Sequence, residues 1–257
     1  MSLIKMVNKV LIGVTSFNRL PYTKLCLEAL ENLENITFDC VISDNNSSQE
    51  VKDFLKQYEN KVLSNGSTFR VIYNPENYGV GKALNQILKY KYVEQHFMKL
   101  DNDTILPSIP WRDFITPERV NKNCLAEMVD ALENSTENIA CIGALLFDRN
   151  RKCKAPQKII TTTTGNKYIT ENFSDSHING ACQLYKNTVF NRILPFSEDF
   201  VYGYEDARMA SKAQKFGLGL AAEWLWIAHI DDLQLPESKE ILEVKRKSLT
   251  GELKVPK

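Results

Sequence analysis

Asp101 and Asp103 flank an asparagine in the stretch KLDNDT. Residues two apart in an extended chain point to the same side. Two carboxylates placed that way repel each other and lose hydration unless a cation or a proton intervenes. Oxygen ligands at this spacing suit Mg2+ or Mn2+, which bridge carboxylates and substrate phosphates. The same residues also fit a polar turn or a phosphoryl-accepting aspartate.

Other residues carry similar choices. Asp44 follows the apolar run CVIS. An acid there either reads a nucleoside, as after the second strand of many nucleotide folds, or closes an Asx-turn. NPENYGVGKALNQ (74–86) puts Gly79, Gly81 and Lys82 at a helix start. Exposed N–H groups and Lys82 there could meet a diphosphate, or the glycines serve only to turn the chain. The spacing is neither GxxxxGK[ST] nor a GxGxxG after a first strand. Glu205 and Asp206 open a helical pattern. Acids there either complement the helix dipole or supply a general base facing a cleft. His229 in WIAHIDD is either structural or a metal ligand, and His96 and His177 offer less.

The elements that must position these residues follow from periodicity. KVLIGVTSF is a short β-branched apolar run, suited to a buried parallel strand. LPYTKLCLEALENL follows as a helix with Pro21 in its first turn. FDCVISDNNSS, FRVIYN and FMKLDND read as three more strands, separated by helices at VKDFLKQY and VGKALNQILKYKY. This alternation predicts an α/β chain with a mostly parallel sheet and helices on both faces. Such sheets bind ligands at the carboxyl ends of their strands. The polar clusters fall there: Thr15, Asn18 and Arg19 after the first strand, Asp44 after the second, Asn77 after the third, Asp101, Asn102 and Asp103 after the fourth. The second half is less regular. NKNCLAEMVDALEN reads as a helix, NIACIGALLF as a buried strand, and GACQLYKNTVFNRIL as a strand and short helix. DRNRKCKAPQKIITTTTGNKY is a basic, Thr-rich mobile loop or edge hairpin, and its Lys152, Lys154 and Lys158 either belong to a solvated loop or meet an anionic partner. YGYEDARMASKAQKFG is a helix stopped at Gly217, LGLAAEWLWIAHIDD a strand, and PESKEILEVKRKSL a terminal helix.

Lys plus Arg equal Asp plus Glu at 32 each, so no charge excess points to nucleic acid. No apolar run nears the ~20 residues of a membrane span, and the first residues lack a secretory pattern. The six cysteines (26, 40, 124, 141, 153 and 182) are dispersed without a CxxC pair. They are expected to be reduced and the protein cytoplasmic, or peripheral at a membrane. One domain over 1–257 is expected, made of a first part over 9–104, a second over 105–231 and a C-terminal helix over 232–257.

In this order, VTSFNR, VISDNNSS, NPENYGVGKALNQ, KLDNDT, INGACQLYKNTVF, FVYGYEDARMASKAQKFG and IAHID resemble a family 2 glycosyltransferase with the GT-A fold. The resemblance spans about Val10 to Asp231. It implies a nucleotide-diphospho-sugar donor, UDP-linked, a glycan or other hydroxyl-bearing acceptor, and Mn2+ or Mg2+. Thr15 would border the nucleotide and Asp44 would accept the uracil imide N–H. Lys82, where the family commonly carries arginine, would lie near the base or diphosphate. Asp101 would approach the ribose or the metal, Asp103 would hold the metal, and His229 would complete its site. Asp206 would be the catalytic base, with Glu205 its acceptor-side neighbour, and Asn179 and Gly180 would line the acceptor site. One displacement would invert the anomeric centre, and the absence of membrane helices favours single-sugar addition over processive synthesis.

Two alternatives stand beside it. LDNDTIL also resembles the DxDx[TV] motif of haloacid-dehalogenase-like phosphatases, with Asp101 as nucleophile, Asp103 as acid and base, and Asp231–Asp232 as a late acidic pair. That motif normally sits on the first strand, whereas three strand–helix units precede it here. The other alternative is a GT-A-like module that binds nucleotide or glycan without turnover.

Overall fold

The computed structural model describes residues 9–146, 156–173, 179–199 and 203–229, with 243, 246, 247, 250 and 252 beyond them. In chain order the elements are β1 (Val10–Ser16), α1 (Leu20–Glu31), β2 (Phe38–Asp44), α2 (Gln49–Leu55), β3 (Thr68–Tyr73), α3 (Gly79–Ile87), β4 (His96–Asp101) and β5 (Thr104–Ile105). Then follow α4 (Cys124–Asn134), β6 (Ile139–Leu146), β7 (Gln157–Thr161), β8 (Lys167–Asn172), β9 (Cys182–Tyr185), α5 (Asn187–Ile193), α6 (Glu205–Gln214) and β10 (Leu218–His229). The strands lie in the order β3-β2-β1-β4-β9-β6-β10-β8-β7, with β5 paired to β10.

β1 pairs in parallel with β2 and β4, β2 with β3, and β6 with β10. β9 runs against both β4 and β6, so β6 and β10 point the same way as β1 to β4. The central sheet is therefore mostly parallel in strand direction. All of β1 is buried, as expected of a parallel strand covered on both faces. Val10, Ile12 and Val14 face one apolar layer with residues of α1, α2 and α4, such as Leu27, Leu55 and Leu132. Leu11 faces the other, with α3, α5 and α6, through residues such as Leu84, Phe190 and Met209. The period-two alternation of a strand assigns neighbouring residues to opposite layers.

The basic Thr-rich segment resolves into the antiparallel hairpin β7–β8 over its described residues. Expectations for Lys152, Cys153, Lys154, His177, Asp231 and Asp232 lie outside the described residues, as does most of the 232–257 helix. The other five cysteines are buried free thiols. Among the described residues, no helix is long and apolar enough to cross a membrane.

His96 opens β4 and is buried. Its Nδ1 accepts from the Asn187 N–H at the start of α5, and its Nε2 lies 3.0 Å from Glu133 Oε1. That network assigns the neutral Nε2–H tautomer. Burial holds the imidazole below its ordinary range, against the raising pull of Glu133. A histidine whose folded pKa is depressed adds stability above its unfolded value, about 6.5, and loses it as pH falls through the folded value. Protonating Nδ1 also removes the acceptor of Asn187. Urea unfolding of the wild type should therefore lose about 1 kcal/mol between pH 7.5 and 5.5 relative to His96→Gln. Parallel profiles for the two proteins would discard this account.

Candidate active site

Sheet register lines up the polar strand ends. Thr15 stands beside Asp101, Ser16 beside Asp44, and Asp44 beside Tyr73. After β1 the chain turns through two left-handed residues, Asn18 (φ 55) and Arg19 (φ 60). The Asn18 N–H donates to Ser47 Oγ, and Asn18 Oδ1 accepts from the Ser48 N–H, which ties this loop to the one after β2. The turn sends the Arg19 side chain back across the sheet edge, where Nη1 meets Asp103 Oδ2 at 2.7 Å.

β4 ends at Asp101, and Asn102 and Asp103 form a turn rather than continuing the strand. The Asn102 amide donates to Thr23 Oγ1 at 2.9 Å, pinning the turn to α1. The two aspartates converge through this turn. β5, only two residues long, follows and pairs with the end of β10, with Thr104 opposite His229. That pairing carries His229 into the site. One ligand atom each from Asp101, Asp103 and His229 lie within 4.8 Å of one another. His229 Nε2 is 3.3 Å from Asp103 Oδ1 and 3.8 Å from Asp101 Oδ2.

The cations that relieve the paired carboxylates come from the chain itself. Lys99 Nζ donates to Asp101 Oδ1 at 2.7 Å, and Arg19 holds Asp103 Oδ2. Each carboxylate thus keeps one oxygen on a fixed cation and turns the other toward His229. A divalent ion with bonds of about 2.0–2.3 Å needs ligand atoms roughly 3–4 Å apart, a spacing that His229 Nε2 keeps to both carboxylates, with all three ligand atoms inside 4.8 Å. Burial raises the Asp101 carboxyl above its usual range, with Lys99 and His229 opposing and Asp103 adding to the rise. For Lys99, burial pulls the ammonium down, but Asp101, Glu205 and Asp206 outweigh it and leave it raised.

Sequence reasoning did not assign Lys99 a role. The signal was present: a lysine inside an apolar strand, two residues before Asp101 and so on the same face. Nor did it foresee Arg19 as the partner of Asp103 rather than a group turned only toward a ligand.

Asp44 realises one of its readings through a single oxygen. Oδ2 accepts the Ser47 N–H at 3.2 Å in a turn, while Oδ1 is buried with no hydrogen-bond partner. Ser16 Oγ is in the same position. Burial raises the Asp44 carboxyl, with the Ser47 bonds opposing. A carboxyl whose folded pKa is raised contributes its stability below its unfolded value, about 3.9, and loses it as pH rises through the folded value. Neutral Asp44→Asn is therefore expected to raise the melting temperature at pH 7 by about 2–4 °C for each ~1 kcal/mol relieved. A lower melting temperature in a thermal scan would contradict it.

The remaining sequence candidates have local partners. Asn77 Oδ1 accepts the Gly79 N–H at 2.9 Å, where Gly79 has φ 75. Lys82 Nζ sits over the Tyr78 ring, 4.1 Å from its centroid. Asn74 bridges to Ser43 and Asn45, joining this segment to the end of β2. Gly81 is where α3 meets the backbone near Ser197, since a Cβ there would lie 1.9 Å from the Ser197 carbonyl oxygen.

α6 supplies the acids on the far side. Tyr204 is its N-cap, with φ 66, and Glu205 and Asp206 fill the first turn. Glu205 is buried, and burial first, with Asp206 and Asp101 adding and Lys99 opposing, pushes its carboxyl up to about 7. Asp206 packs against Gly180, where a Cβ would come 1.7 Å from Asp206 Oδ2. Asn179 Oδ1 accepts the Ala181 N–H at 2.8 Å, and the Ala181 carbonyl accepts the Asp101 N–H. The 179–181 segment therefore links the aspartate pair to α6.

Known proteins bear on this arrangement in two ways. The sequence profile described as glycosyl transferase family 2 matches residues 11–111. The fold is that of the GT-A glycosyltransferases. Mannosyltransferase PcManGT from Pyrobaculum calidifontis, in complex with GDP-Man and Mn2+, superposes with a TM-score of 0.66 at 14% identity, covering 95% of this chain and 63% of that one. S. aureus TarS 1-349 in complex with UDP-GlcNAc gives 0.59 at 15%, covering 94% and 66%. GalNAc-T7 with UDP, GalNAc and Mn2+ gives 0.58 at 12%, covering 88% and 44%. The chain thus spans less than two thirds of the length of each. No curated protein matches the chain.

Proposed function

Because residues 11–111 carry the family 2 glycosyltransferase signature on a GT-A fold, we propose that the chain moves a single sugar from a UDP-linked nucleotide sugar to an acceptor hydroxyl, with metal dependence and inversion. The observation that carries this reading is the convergence of Asp101, Asp103 and His229, with Lys99 reaching from Asp101 to Glu205 beside Asp206. Residues 9–104 form the donor half in this reading and 105–231 the acceptor and catalytic half.

Asp103 and His229 would hold the ion directly, and Asp101 would turn Oδ2 to it or to the ribose. Carboxylates with one imidazole favour Mn2+ over the more strictly oxygen-seeking Mg2+. When bound, the ion neutralises charge building on the leaving diphosphate. Asp44 Oδ1, buried without a donor, is suited to an imide N–H of the base, and Thr15 would border the nucleotide. Lys82 would reach the base or diphosphate by leaving the Tyr78 ring. Asn18, Asn77 and Asn102 shape the loops around the donor, and Arg19 fixes Asp103. On the acceptor side, Asn179 and Gly180 line the path to Asp206. As the acceptor oxygen bonds to the anomeric carbon and the bond to the diphosphate breaks, Asp206 takes the hydroxyl proton. A carboxylate suffices because the transition state is oxocarbenium-like and the proton moves late.

Proteins of this fold were solved with GDP-mannose and with UDP-GlcNAc, so both nucleotides belong in the test. A panel of nucleotide sugars with Mn2+ is read by thermal shift and donor hydrolysis. UDP-sugars are expected to raise the melting temperature and release UDP slowly. Silence toward every UDP- and dTDP-sugar would overturn the donor assignment. Phosphate release from p-nitrophenyl phosphate without any nucleotide sugar would favour the phosphatase alternative.

A further inference from the structure

Lys99 is 2% exposed in a strand whose backbone is already paired on both sides, by β1 and by β9. A buried ammonium is costly unless its donors are met. Lysine has three N–H donors, and three acceptors surround this one. Asp101 Oδ1 and the Gly180 carbonyl each lie 2.7 Å away, and Glu205 Oε1 lies at 3.5 Å. One acceptor belongs to the aspartate pair. The other two belong to the corner that holds Asp206, since Gly180 is in contact with the Asp206 carboxylate and Glu205 precedes it on α6.

We propose that Lys99 is a positioning residue that couples the two sides of the site. Its ammonium fixes Asp101 so that only Oδ2 faces the metal position, and it fixes Gly180 and Glu205 so that Asp206 stands at a set place relative to that position. The proposal rests on the transferase reading above for what the coupling serves. It makes a separate statement about metal affinity. A cation on a ligand carboxylate weakens that carboxylate's hold on a second cation, so Lys99 trades metal affinity for alignment.

The test uses the 257-residue chain as wild type, Lys99→Met and Lys99→Arg. Binding of Mn2+ alone is followed by electron paramagnetic resonance, and UDP release is measured with UDP-glucose and UDP-N-acetylglucosamine. Lys99→Met is expected to bind Mn2+ at least about threefold tighter while kcat falls on the order of 100-fold with donor KM within about threefold. Lys99→Arg is expected to recover part of kcat. A purely structural lysine would instead lower Mn2+ affinity, melting temperature and kcat together in Lys99→Met, and that result overturns the proposal. So does a Lys99→Met enzyme with unchanged kcat. A wild type that turns over no nucleotide sugar counts against the transferase reading, and the Mn2+ titration still decides the lysine: unchanged or weaker binding in Lys99→Met rejects it.

Discussion

Asp206→Asn is expected to reduce sugar transfer on the order of 10³-fold, within the range a general base contributes, while leaving UDP–Mn2+ affinity within about threefold. The amide keeps the shape of the carboxylate and its packing against Gly180 but cannot take a proton. The helix start stabilises negative charge in its first turn whatever the side chain does there. The helix dipole alone therefore accounts for an acid at this position, and only kinetics separates it from base catalysis. Steady-state transfer together with calorimetric titration of UDP and Mn2+ makes the separation. Transfer within tenfold of wild type would remove Asp206 as the base. Gly180→Ala approaches the same carboxylate from outside. A Cβ there would fall 1.7 Å from Asp206 Oδ2, too close for real contact, so the Asp206 carboxylate or the 179–181 segment must move. It should lower kcat on the order of 100-fold, since misplacement by about 1 Å can cost that much. A fully active Gly180→Ala enzyme would mean the catalytic position of Asp206 differs from the one beside Gly180.

The first half of the chain was legible because each buried strand ends abruptly in polar residues. The sheet places those ends side by side, as Thr15 and Asp101 show. The second half hid its topology. β9 is four residues long and inserts antiparallel between β4 and β6, and a run that short carries no period with which to locate its neighbours. β5 has two residues, yet it brings His229 to Asp103. The histidine was found from its family-like context, not from any spacing that placed it near the aspartates. Polar residues at the strand ends also proved to be of two kinds. Asn77 and Asn102 spend their side chains on Gly79 and Thr23, and composition alone cannot tell such internal partners from ligand contacts. Asp44 belongs to both kinds at once, one oxygen in the turn and the other buried without a donor. Lys99 was overlooked because a lysine in an apolar run reads as the strand's polar edge until its three acceptors, two of them from residues about a hundred positions away, are seen together.

Asp103→Asn should cost the chain its Mn2+ affinity by at least about 100-fold and abolish transfer with it. Asp103 is 1% exposed, and its two oxygens do different work: Oδ2 on Arg19 and Oδ1 toward His229. The amide can still accept from Arg19 through its oxygen, but it then turns an NH2 toward the metal position, where a donor repels a cation. Removing the carboxylate also takes away the charge that lies 2.7 Å from Arg19 Nη1, on a side chain only 9% exposed. Breaking a buried pair in that way destabilises by about 3–5 kcal/mol, which a thermal scan would show. Loss of stability alone could therefore mimic loss of metal, and a second substitution is needed to separate them. His229→Gln leaves the Arg19–Asp103 pair intact and removes only the imidazole, so it should weaken Mn2+ about tenfold with a small change in melting temperature. If electron paramagnetic resonance finds Mn2+ bound as tightly in both variants as in wild type, the three side chains are not the metal site, and the charge balance set by Arg19 and Lys99 is the whole purpose of the cluster.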